Sequence, residues 1–348
     1  MRKPFTFEGV DVEPGTAVRI PVKFGLDPLG RKLEIPVHIL HGIEDGPILG
    51  ITSTIHGDEL NGVTIIRHLL HGMDLNPGTE DDLVTPETLS GTLIVVPVCN
   101  PEAVIIHSRR SSDGRDLNRC FPGSEKGSLG GRIANLFVQE ILTKCQYAID
   151  LHTGAAHRSN MPQIRVHLEN QQAAELAQAF GVPLVIDAPI RDGSLRGAGD
   201  DLDIPIITYE AGEALRFDEP AIATGVKGVR NVMTHLQMLP PRKSSRARPP
   251  SFIARSSSWV RAPADGLFRS NLQLGDRVAR GEVLGIIDGP LGGSEIPVTS
   301  PFAGIVIGNT NLPLVNEGEA LLHLGRFDDI DDVETVVEEF RQEFDGGL

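Results

Sequence analysis

The sequence contains few cysteines and few aromatic residues, and both shortages exclude classes of protein. Three cysteines, Cys99, Cys120 and Cys145, occur in 348 residues, widely spaced and without a Cys-x-x-Cys pair. This number and spacing fit neither a disulfide framework nor a zinc site built from thiolates, and they indicate a reducing compartment. Aromatic residues make up 5 % of the chain, which argues against a surface that stacks nucleic-acid bases.

Positive charge and long apolar runs are also scarce. Lysine and arginine total 32 against 47 acidic residues, so the formal net charge is −15 at pH 7. This balance disfavours binding to nucleic acid or anionic lipid, although a local cationic pocket for a small anion stays possible. No stretch reaches the roughly 18 apolar residues that span a membrane, and the N-terminus has no apolar signal core. We therefore expect a cytoplasmic protein that binds neither membrane nor nucleic acid.

What the chain does contain is an alternation of strand-like and helix-like segments, with 40 % apolar residues overall. Two alternating runs between residues 17 and 39 contain proline, so they predict antiparallel strands at a sheet edge. The pattern that follows predicts a mixed, mostly parallel, doubly wound α/β sheet. Its predicted strands lie at 49–55, 93–98, 147–152, 163–168, 182–186 and 204–212, and its helices at 60–71, 129–145, 171–180 and 218–239.

The composition changes after residue 240, which predicts further domains. Residues 1–240 form the predicted α/β domain, and residues 241–258, basic and rich in proline and serine, read as a linker. A nucleic-acid arm is the alternative, but the segment is short and has acidic flanks. In residues 259–326, glycines separate short strand-like segments, which predicts a small β-barrel or sandwich with two similar halves. Residues 327–348 predict an acidic amphipathic helix and tail.

The chemistry centres on polar residues that follow buried strands. His56 and Glu59 stand three residues apart after the strand at 49–55, and His152 ends another strand. Because the C-terminal ends of parallel strands meet at one rim, these side chains can converge. Two histidines and one glutamate are a common ligand set of catalytic zinc, and Glu210, at the end of a third strand, suits a general base. The alternative is a set of polar residues that merely close strand ends.

Nearby residues offer supporting roles. Asp150 precedes His152 by two residues on the same strand face, where it can orient the imidazole or simply bond to backbone. The segment between residues 100 and 123 is long and charged, which is typical of functional loops. Its arginines can grip a substrate carboxylate or lie in solvent. A solvent-exposed position is the better interpretation for Arg110 and Arg115 than for the pair Asn118 and Arg119.

These motifs together resemble the succinylglutamate desuccinylase/aspartoacylase family, a branch of the zinc carboxypeptidase-like fold. The resemblance covers roughly residues 45 to 240, with five motifs in the family's order. They are His56-Gly57-Asp58-Glu59, Asn100-Pro101, Asp113 to Gly123, Asp150-Leu151-His152-Thr153-Gly154 and Tyr209-Glu210-Ala211-Gly212.

The resemblance implies one zinc ion per chain and a deacylase that hydrolyses a small N-acyl amino acid. It implies zinc ligands at His56, Glu59 and His152, and Glu210 as the residue that activates water. It implies an arginine that polarises the scissile carbonyl, for which Arg109 is preferred to Arg110. It further implies that Asn118 and Arg119 bind the substrate carboxylate and that Asp150 supports a ligand histidine.

The C-terminal segment resembles a biotinyl/lipoyl-type domain, but it contains no lysine from Trp259 to Leu348, so a carrier role lacks its attachment point. We expect it to cap the cleft or to mediate assembly, and a homo-oligomer is possible. Longer relatives with such a segment include deacetylases of N-acetylated diamino acids. Two alternatives stay open: a zinc carboxypeptidase that acts on peptides, and a non-catalytic protein that binds a metal or another ligand.

Overall fold

A computed structural model describes residues 2–26, 29–72, 83–241, 251–293 and 295–345. The predicted surface loop at 74–91 therefore lies partly outside the described residues, and so does the basic stretch 242–250 of the predicted linker. In the described part of the chain, no helix combines the length and the apolar character that crossing a membrane requires.

Before the predicted linker, the described residues form ten strands and six α-helices. The strands are β1 (Phe5–Phe7), β2 (Val10–Val12), β3 (Thr16–Leu26), β4 (Lys32–His41), β5 (Glu44–Ser53), β6 (Ser90–Val96), β7 (Tyr147–Gly154), β8 (Arg158–Val166), β9 (Leu184–Asp187) and β10 (Ile206–Glu213). The helices are α1 (Asn61–His71), α2 (Pro101–Ile105), α3 (Leu129–Leu136), α4 (Gln171–Phe180), α5 (Leu195–Asp200) and α6 (Glu219–His235).

The central strands β10, β7, β5 and β6 are parallel neighbours in that order, and antiparallel β4 and β3 complete one edge. Helices α1, α4 and α6 cover one face of this sheet, with Ile65, Leu176 and Val229 among their buried side chains. Helices α3 and α5 pack on the other face through residues such as Ile133 and Leu195. The predicted mixed, doubly wound α/β fold and its antiparallel edge are thus confirmed.

Strand β8, on the other side of the parallel strands, is also antiparallel to its neighbour β10. It pairs parallel with β9 on its other side. Only three residues connect β7 to β8. A parallel crossover needs a dozen or more residues, so a connection this short forces the chain to reverse direction.

Part of the predicted linker, residues 251–258, forms strands in the structure. Strands β11 (Phe252–Ala254) and β12 (Ser256–Arg261) begin there, and β11 pairs parallel with β9. Serines and basic residues suggested an extended linker, but their backbone groups bond to neighbouring strands instead. A segment with little preference for helix or strand becomes a strand when a sheet edge offers it unpaired backbone N–H and C=O groups.

The C-terminal segment forms a sandwich of two sheets. Its remaining strands are β13 (Gly266–Arg269), β14 (Arg277–Val278), β15 (Val283–Asp288), β16 (Ile296–Thr299), β17 (Gly304–Thr310), β18 (Leu314–Val315) and β19 (Ala320–Arg326). Strands β16, β15, β13 and β18 form a separate sheet, while β12, β19 and β17 extend the large sheet through β8. Phe268, Leu284 and Leu324 lie in the core between these two sheets.

Helix α7 (Ile330–Asp345) follows the sandwich and matches the predicted acidic amphipathic helix. Val333, Val337 and Phe340 are buried and pack with Ile305 and Ile307 of β17. The exposed face carries acids that pair with the sandwich, as Glu334 does with Arg277 at 2.9 Å. The apolar face of α7 therefore contributes to the core next to the sheet.

This packing gives a testable prediction for stability. Phe340→Ala removes a large side chain that is 8 % exposed and should lower the free energy of unfolding by about 3 kcal/mol. Urea unfolding followed by circular dichroism measures the loss. Phe217→Ala is the matched control because Phe217 is 66 % exposed, and it should cost little. Equal effects from the two variants would contradict the described packing of α7.

Candidate active site

The first two candidate residues lie in the turn between β5 and α1. Strand β5 ends at Ser53, and α1 begins at Asn61, one residue later than expected. The backbone N–H of Glu59 donates to the carbonyl of His56 at 3.2 Å, which closes a tight turn. His56 and Glu59 are 3 % and 1 % exposed. The turn thus directs both side chains inward at the C-terminal end of a central strand.

Glycine at position 57 is required by the close approach of α2 to this turn. A Cβ atom added to Gly57 would lie 2.1 Å from the carbonyl carbon of Ala103. Any side chain at this position would therefore displace either the turn or the helix. The His-Gly-Asp-Glu motif consequently holds His56 and Glu59 in place through backbone packing as well as side-chain contacts.

His152 joins the pair from the neighbouring strand β7. Its Nδ1 lies 2.7 Å from Oε2 of Glu59, and Nδ1 of His56 lies 2.7 Å from Oε1 of the same carboxylate. One potential ligand atom from each of the three residues lies within 4.8 Å of the others. The residues singled out in the sequence as metal ligands are therefore together, buried and suitably spaced for one ion.

Two further carboxylates orient the histidines. Asp150 accepts a hydrogen bond from Nε2 of His152 at 2.7 Å, and Asp116 accepts one from Nε2 of His56 at 3.1 Å. A bond at Nε2 leaves Nδ1 of each ring as the atom available to a metal. Of the two alternatives for Asp150, the geometry favours orientation of His152. Asp116 orients His56 in the same way.

The electrostatics of the group suit a divalent cation. Burial disfavours the Glu59 carboxylate, but the charges of His56 and His152 outweigh burial and hold the pKa of Glu59 far below its usual range. Burial lowers the pKa of His152, yet Asp150 and Glu59 outweigh it and raise that pKa well above normal. A metal binds imidazoles in their neutral form, and the charges of Glu59, Asp116 and Asp150 then exceed that of the Arg109 guanidinium by two. A dication would offset this excess, so these residues fit a site for a divalent metal ion such as zinc.

Glu210 lies beside the histidine group on β10, where its backbone is the register partner of His152. Its Oε2 accepts hydrogen bonds from Nδ2 of Asn160 at 3.0 Å and from Nε of Arg165 at 2.8 Å. Within the described part of the chain, no protein hydrogen bond to Oε1 is found. Glu210 is thus held through one oxygen, and its other oxygen is available to a water or substrate proton.

Of the two arginines weighed for the scissile carbonyl, Arg109 lies at the histidine group. Its guanidinium contacts Oε1 of Glu59 at 3.2 Å and Oδ2 of Asp116 at 3.1 Å. Arg110 is exposed and donates to the carbonyl oxygen of Gly114 instead. The structure therefore brings Arg109, and not Arg110, to the site.

The pair Asn118 and Arg119 lies on the wall of the same cavity. Oδ1 of Asn118 accepts a hydrogen bond from the backbone N–H of Leu195 at 2.9 Å, which ties the loop to the start of α5. Arg119 donates to the carbonyl of Asn118 at 2.6 Å and is otherwise exposed. Arg119 is thus placed where a substrate anion can reach it.

Comparison with known proteins identifies the family. A family model described as the succinylglutamate desuccinylase/aspartoacylase catalytic domain matches residues 45–236, which is more than half of the 348 residues. The chain belongs to the succinylglutamate desuccinylase/aspartoacylase family. The resemblance noted in the sequence is therefore confirmed.

Individual relatives extend the likeness beyond the catalytic domain. The chain is 26 % identical over 292 residues to the N-alpha-acetyl-L-2,4-diaminobutyric acid deacetylase of Halomonas elongata, a match that covers 80 % of each chain. The product-bound ectoine utilization protein EutE (DoeB) from Ruegeria pomeroyi superposes with a TM-score of 0.79 at 23 % identity, covering 93 % of this chain and 99 % of that chain. Succinylglutamatedesuccinylase/aspartoacylase from Rhodobacter sphaeroides gives 0.76 at 24 %, covering 90 % and 95 %. The two solved structures share the fold over at least nine-tenths of this chain.

In this member of the desuccinylase/aspartoacylase family, the site opens into a cavity of about 490 Å³. All the site residues predicted from the sequence line it: His56, Glu59, Arg109, Asn118, Arg119, Asp150, His152 and Glu210. The C-terminal segment contributes Arg255, Ser256, Ser257 and Trp259 to the wall. The wall of the site is therefore built in part from residues outside the span of the family model.

Several residues at the site were not assigned a role from the sequence. Asp116 was part of a quoted motif, and its position two residues before Asn118 was the only signal for it. Asn160 and Arg165 lie five residues apart on β8, and nothing local indicated that both contact Glu210. Their contact depends on antiparallel pairing between β8 and β10, and no short-range pattern predicts that pairing.

The orienting carboxylates give a second prediction. Asp150→Asn and Asp116→Asn should each weaken zinc binding about 10- to 100-fold, because an amide orients the imidazole less firmly and lacks the charge. Competition with a chromophoric chelator measures the affinity. Asp201→Asn, at an exposed position, is the matched control. Unchanged zinc affinity in both site variants would show that neither aspartate supports a ligand.

Proposed function

We propose that this protein is a zinc-dependent deacylase that hydrolyses the amide bond of a small N-acyl amino acid. The observation that carries the proposal is the grouping of His56, Glu59 and His152 beside Glu210 in one cavity. Membership of the family and similarity to a relative named as an N-acetyl-diamino-acid deacetylase support the reaction class.

His56, Glu59 and His152 would hold one zinc ion per chain. Zinc in such a site polarises a carbonyl as a Lewis acid and lowers the pKa of water to about 7. Asp116 and Asp150 bond to Nε2 of the two histidines, so Nδ1 of each ring would be left to bind the ion. Because these residues are buried and mutually bonded, the site is ordered before substrate arrives.

Glu210 moves the proton in this reaction. The free Oε1 accepts a proton from the attacking water, and the same carboxyl then donates it to the amide nitrogen as the C–N bond breaks. Asn160 and Arg165 hold Oε2 and so restrict rotation of the carboxylate. The oxygen of the water is added to the acyl carbon, and its proton is added to the nitrogen. The products are therefore a carboxylate and a free amine.

Arg109 stabilises the negative charge that develops on the carbonyl oxygen in the tetrahedral state. Its guanidinium already lies 3.2 Å from Glu59, so it is within reach of a carbonyl presented to the group. Arg119 and Asn118 line the cavity where the carboxylate of the amino-acid portion would be bound. Binding at that position fixes the amide relative to Glu210.

The test is an assay of zinc-loaded protein against N-acetyl and N-succinyl amino acids, with dipeptides and longer peptides alongside. Release of free amine from an N-acyl amino acid, with one zinc per chain by elemental analysis, is expected. Hydrolysis of peptides alone would replace the proposal with a carboxypeptidase. No turnover of either class by zinc-loaded protein would favour a ligand-binding protein.

A further inference from the structure

Two side chains of β8 reach the same oxygen of Glu210, although their spacing alone would place them on opposite faces of the sheet. Asn160 and Arg165 are five residues apart, and side chains an odd number of residues apart point to opposite sides of a regular strand. Both nevertheless donate to Oε2 of Glu210, at 3.0 Å and 2.8 Å. The strand must therefore be irregular between them.

The irregularity is a β-bulge in β8. On β10, Glu210 and Gly212 are two residues apart, whereas their partners on β8, Gln163 and Asn160, are three residues apart. The interval on β8 includes Pro162, and proline inside a sheet is typical of bulges because it has no N–H to donate. Bulges redirect side chains and are frequent beside active sites. This bulge turns Asn160 towards the face that carries Glu210.

Strand β17 of the C-terminal sandwich packs against the oxygen end of the Asn160 amide. Gly308 is the register partner of Asn160 in the pairing of β17 with β8. A Cβ atom added to Gly308 would lie 2.7 Å from Oδ1 of Asn160. Gly308 has no positive φ, so glycine is needed here for space and not for its backbone conformation. The amide of Asn160 is thus held between Gly308 and the carboxylate of Glu210.

The packing continues behind Gly308 into the sandwich. His323 on β19 is the register partner of Gly308 on one side and of Trp259 on the other. The rings of His323 and Trp259 stack with centroids 4.8 Å apart, and the guanidinium of Arg158 lies 5.1 Å from the centroid of Trp259. A Cβ atom at Gly308 would also lie 3.3 Å from Cβ of His323. Close packing therefore crosses four neighbouring strands, from Trp259 to Asn160.

His323 contributes to this packing as a neutral ring. Burial, with a contribution from Arg165, lowers the pKa of His323 to about 3, so the ring carries no charge at pH 7. Within the described part of the chain, Nδ1 of His323 has no hydrogen-bond partner. A buried neutral ring stacked on a tryptophan stabilises the strands that carry the two rings. His323 thus acts on its neighbours through packing and not through charge.

A polar contact also anchors β17 to the strands of the site. Nδ2 of Asn311, which follows β17, donates to Oε2 of Glu213 at 2.8 Å and to Oγ of Ser159 at 2.9 Å. The backbone N–H of Asn311 donates to the carbonyl of His157 at 2.7 Å. Glu213 belongs to β10 and Ser159 to β8, so β17 is tied to both strands that meet at Glu210.

We propose that Gly308 and His323 of the C-terminal sandwich are positioning residues for the general base. By packing against the amide of Asn160, they keep its Nδ2 on Oε2 of Glu210, so that Oε1 stays directed at the attacking water. The inference rests on the proposed deacylase function and gives the sandwich a part in proton transfer. Neither Gly308 nor His323 lines the cavity, so their effect on the rate passes through Asn160.

A double-mutant cycle on zinc-loaded full-length protein tests the proposal. Gly308→Ala and Asn160→Ala should each lower kcat about tenfold with little change in KM, because the base is present but less well oriented. The double variant should be no slower than Asn160→Ala, which has no Oδ1 for the added Cβ to meet. Multiplied effects in the double variant would overturn the inference while leaving a deacylase. Gly289→Ala is the matched control in the same sandwich, because its Cβ would make only an ordinary contact of 3.4 Å, and it should keep kcat.

A second cycle uses His323→Ala, which removes packing behind Gly308 without adding an atom, and it decides the question if Gly308→Ala does not fold. His323→Ala should lower kcat about threefold or more in the wild-type background and leave it unchanged in the Asn160→Ala background. Equal losses in the two backgrounds, or no loss in either, would contradict a role that passes through Asn160.

Nuclear magnetic resonance reads the same contact without turnover. Asparagine is labelled selectively with nitrogen-15, and the side-chain amide signal of Asn160 is assigned by its absence in Asn160→Ala. This signal should move in Gly308→Ala, as it does in Glu210→Gln, and stay in place in Gly289→Ala. Movement in a protein that cleaves no N-acyl amino acid would support the contact and reject the deacylase. A signal that Gly308→Ala leaves in place would overturn the inference in an active enzyme.

Discussion

Replacement of His152 by alanine is expected to remove zinc from the protein and to reduce turnover by on the order of 10³-fold or more. The size follows from the loss of a metal that contributes several kcal/mol to transition-state stabilisation, since each 1.36 kcal/mol is a factor of ten in rate. His152 supplies one of only two imidazoles in the group and is bonded to both Glu59 and Asp150. Zinc content by elemental analysis and kcat/KM on the best N-acyl substrate are measured together.

The matched control is His235→Ala, because His235 is exposed at the end of α6 and is not among the residues that line the cavity. It should retain zinc and rate. Circular dichroism and thermal unfolding separate a lost ligand from a lost fold. If His152→Ala keeps one zinc per chain and most of its activity, the proposed ligand set is wrong.

Glu210→Gln is expected to reduce kcat about 10²- to 10⁴-fold, the usual contribution of a general acid or base, while zinc stays bound. Glutamine keeps the size of the side chain and can still accept from Asn160 or Arg165 through its carbonyl oxygen. It cannot accept and return a proton. KM should change less than kcat, because the substitution removes a transition-state function and leaves the anion-binding arginines in place.

Glu175→Gln, on the exposed face of α4, controls for loss of a surface carboxylate. A Glu210→Gln enzyme that turns over within about threefold of the wild type would assign proton transfer to another group. Loss of zinc in the same variant would instead place Glu210 in the metal site.

The central sheet was predictable because its strands are buried on both faces and so appear as continuous apolar runs. The helix at Gln171–Phe180 was predicted with the bounds that the structure gives it, since Asn170 caps its start and Gly181 follows its end. His56, Glu59, His152 and Glu210 were predictable for a related reason. Each follows or ends such a strand, and the ends of parallel strands share one rim.

The contacts that surround these residues could not be predicted in the same way. Arg165 is 45 residues from Glu210, and Asp116 is 60 residues from His56. Such pairs depend on strand register and on the path of a long loop, which local patterns do not encode. The family resemblance supplied the roles of Asn118 and Arg119 but not the reversal at β8 that brings Arg165 to the site.

The C-terminal segment shows the same limit. Its glycine-rich turns predicted a small β domain, and the structure has a two-sheet sandwich there. Serine and arginine at 251–258 suggested a linker, but pairing with β9 and β19 makes these residues strands and places Trp259 at the cavity. The cytoplasmic location, the possible homo-oligomer and the domain boundaries stay predictions from the sequence.

Zinc titration of the metal-free protein tests the central claim most directly. Chelator-treated protein is supplied with increasing zinc, and hydrolysis of an N-acyl amino acid is followed at each step. Activity is expected to rise in proportion to zinc and to reach a plateau at one equivalent per chain, with no such rise in His152→Ala. Full activity in the chelated protein, or a rise that is the same in His152→Ala, would contradict a reaction centred on His56, Glu59 and His152.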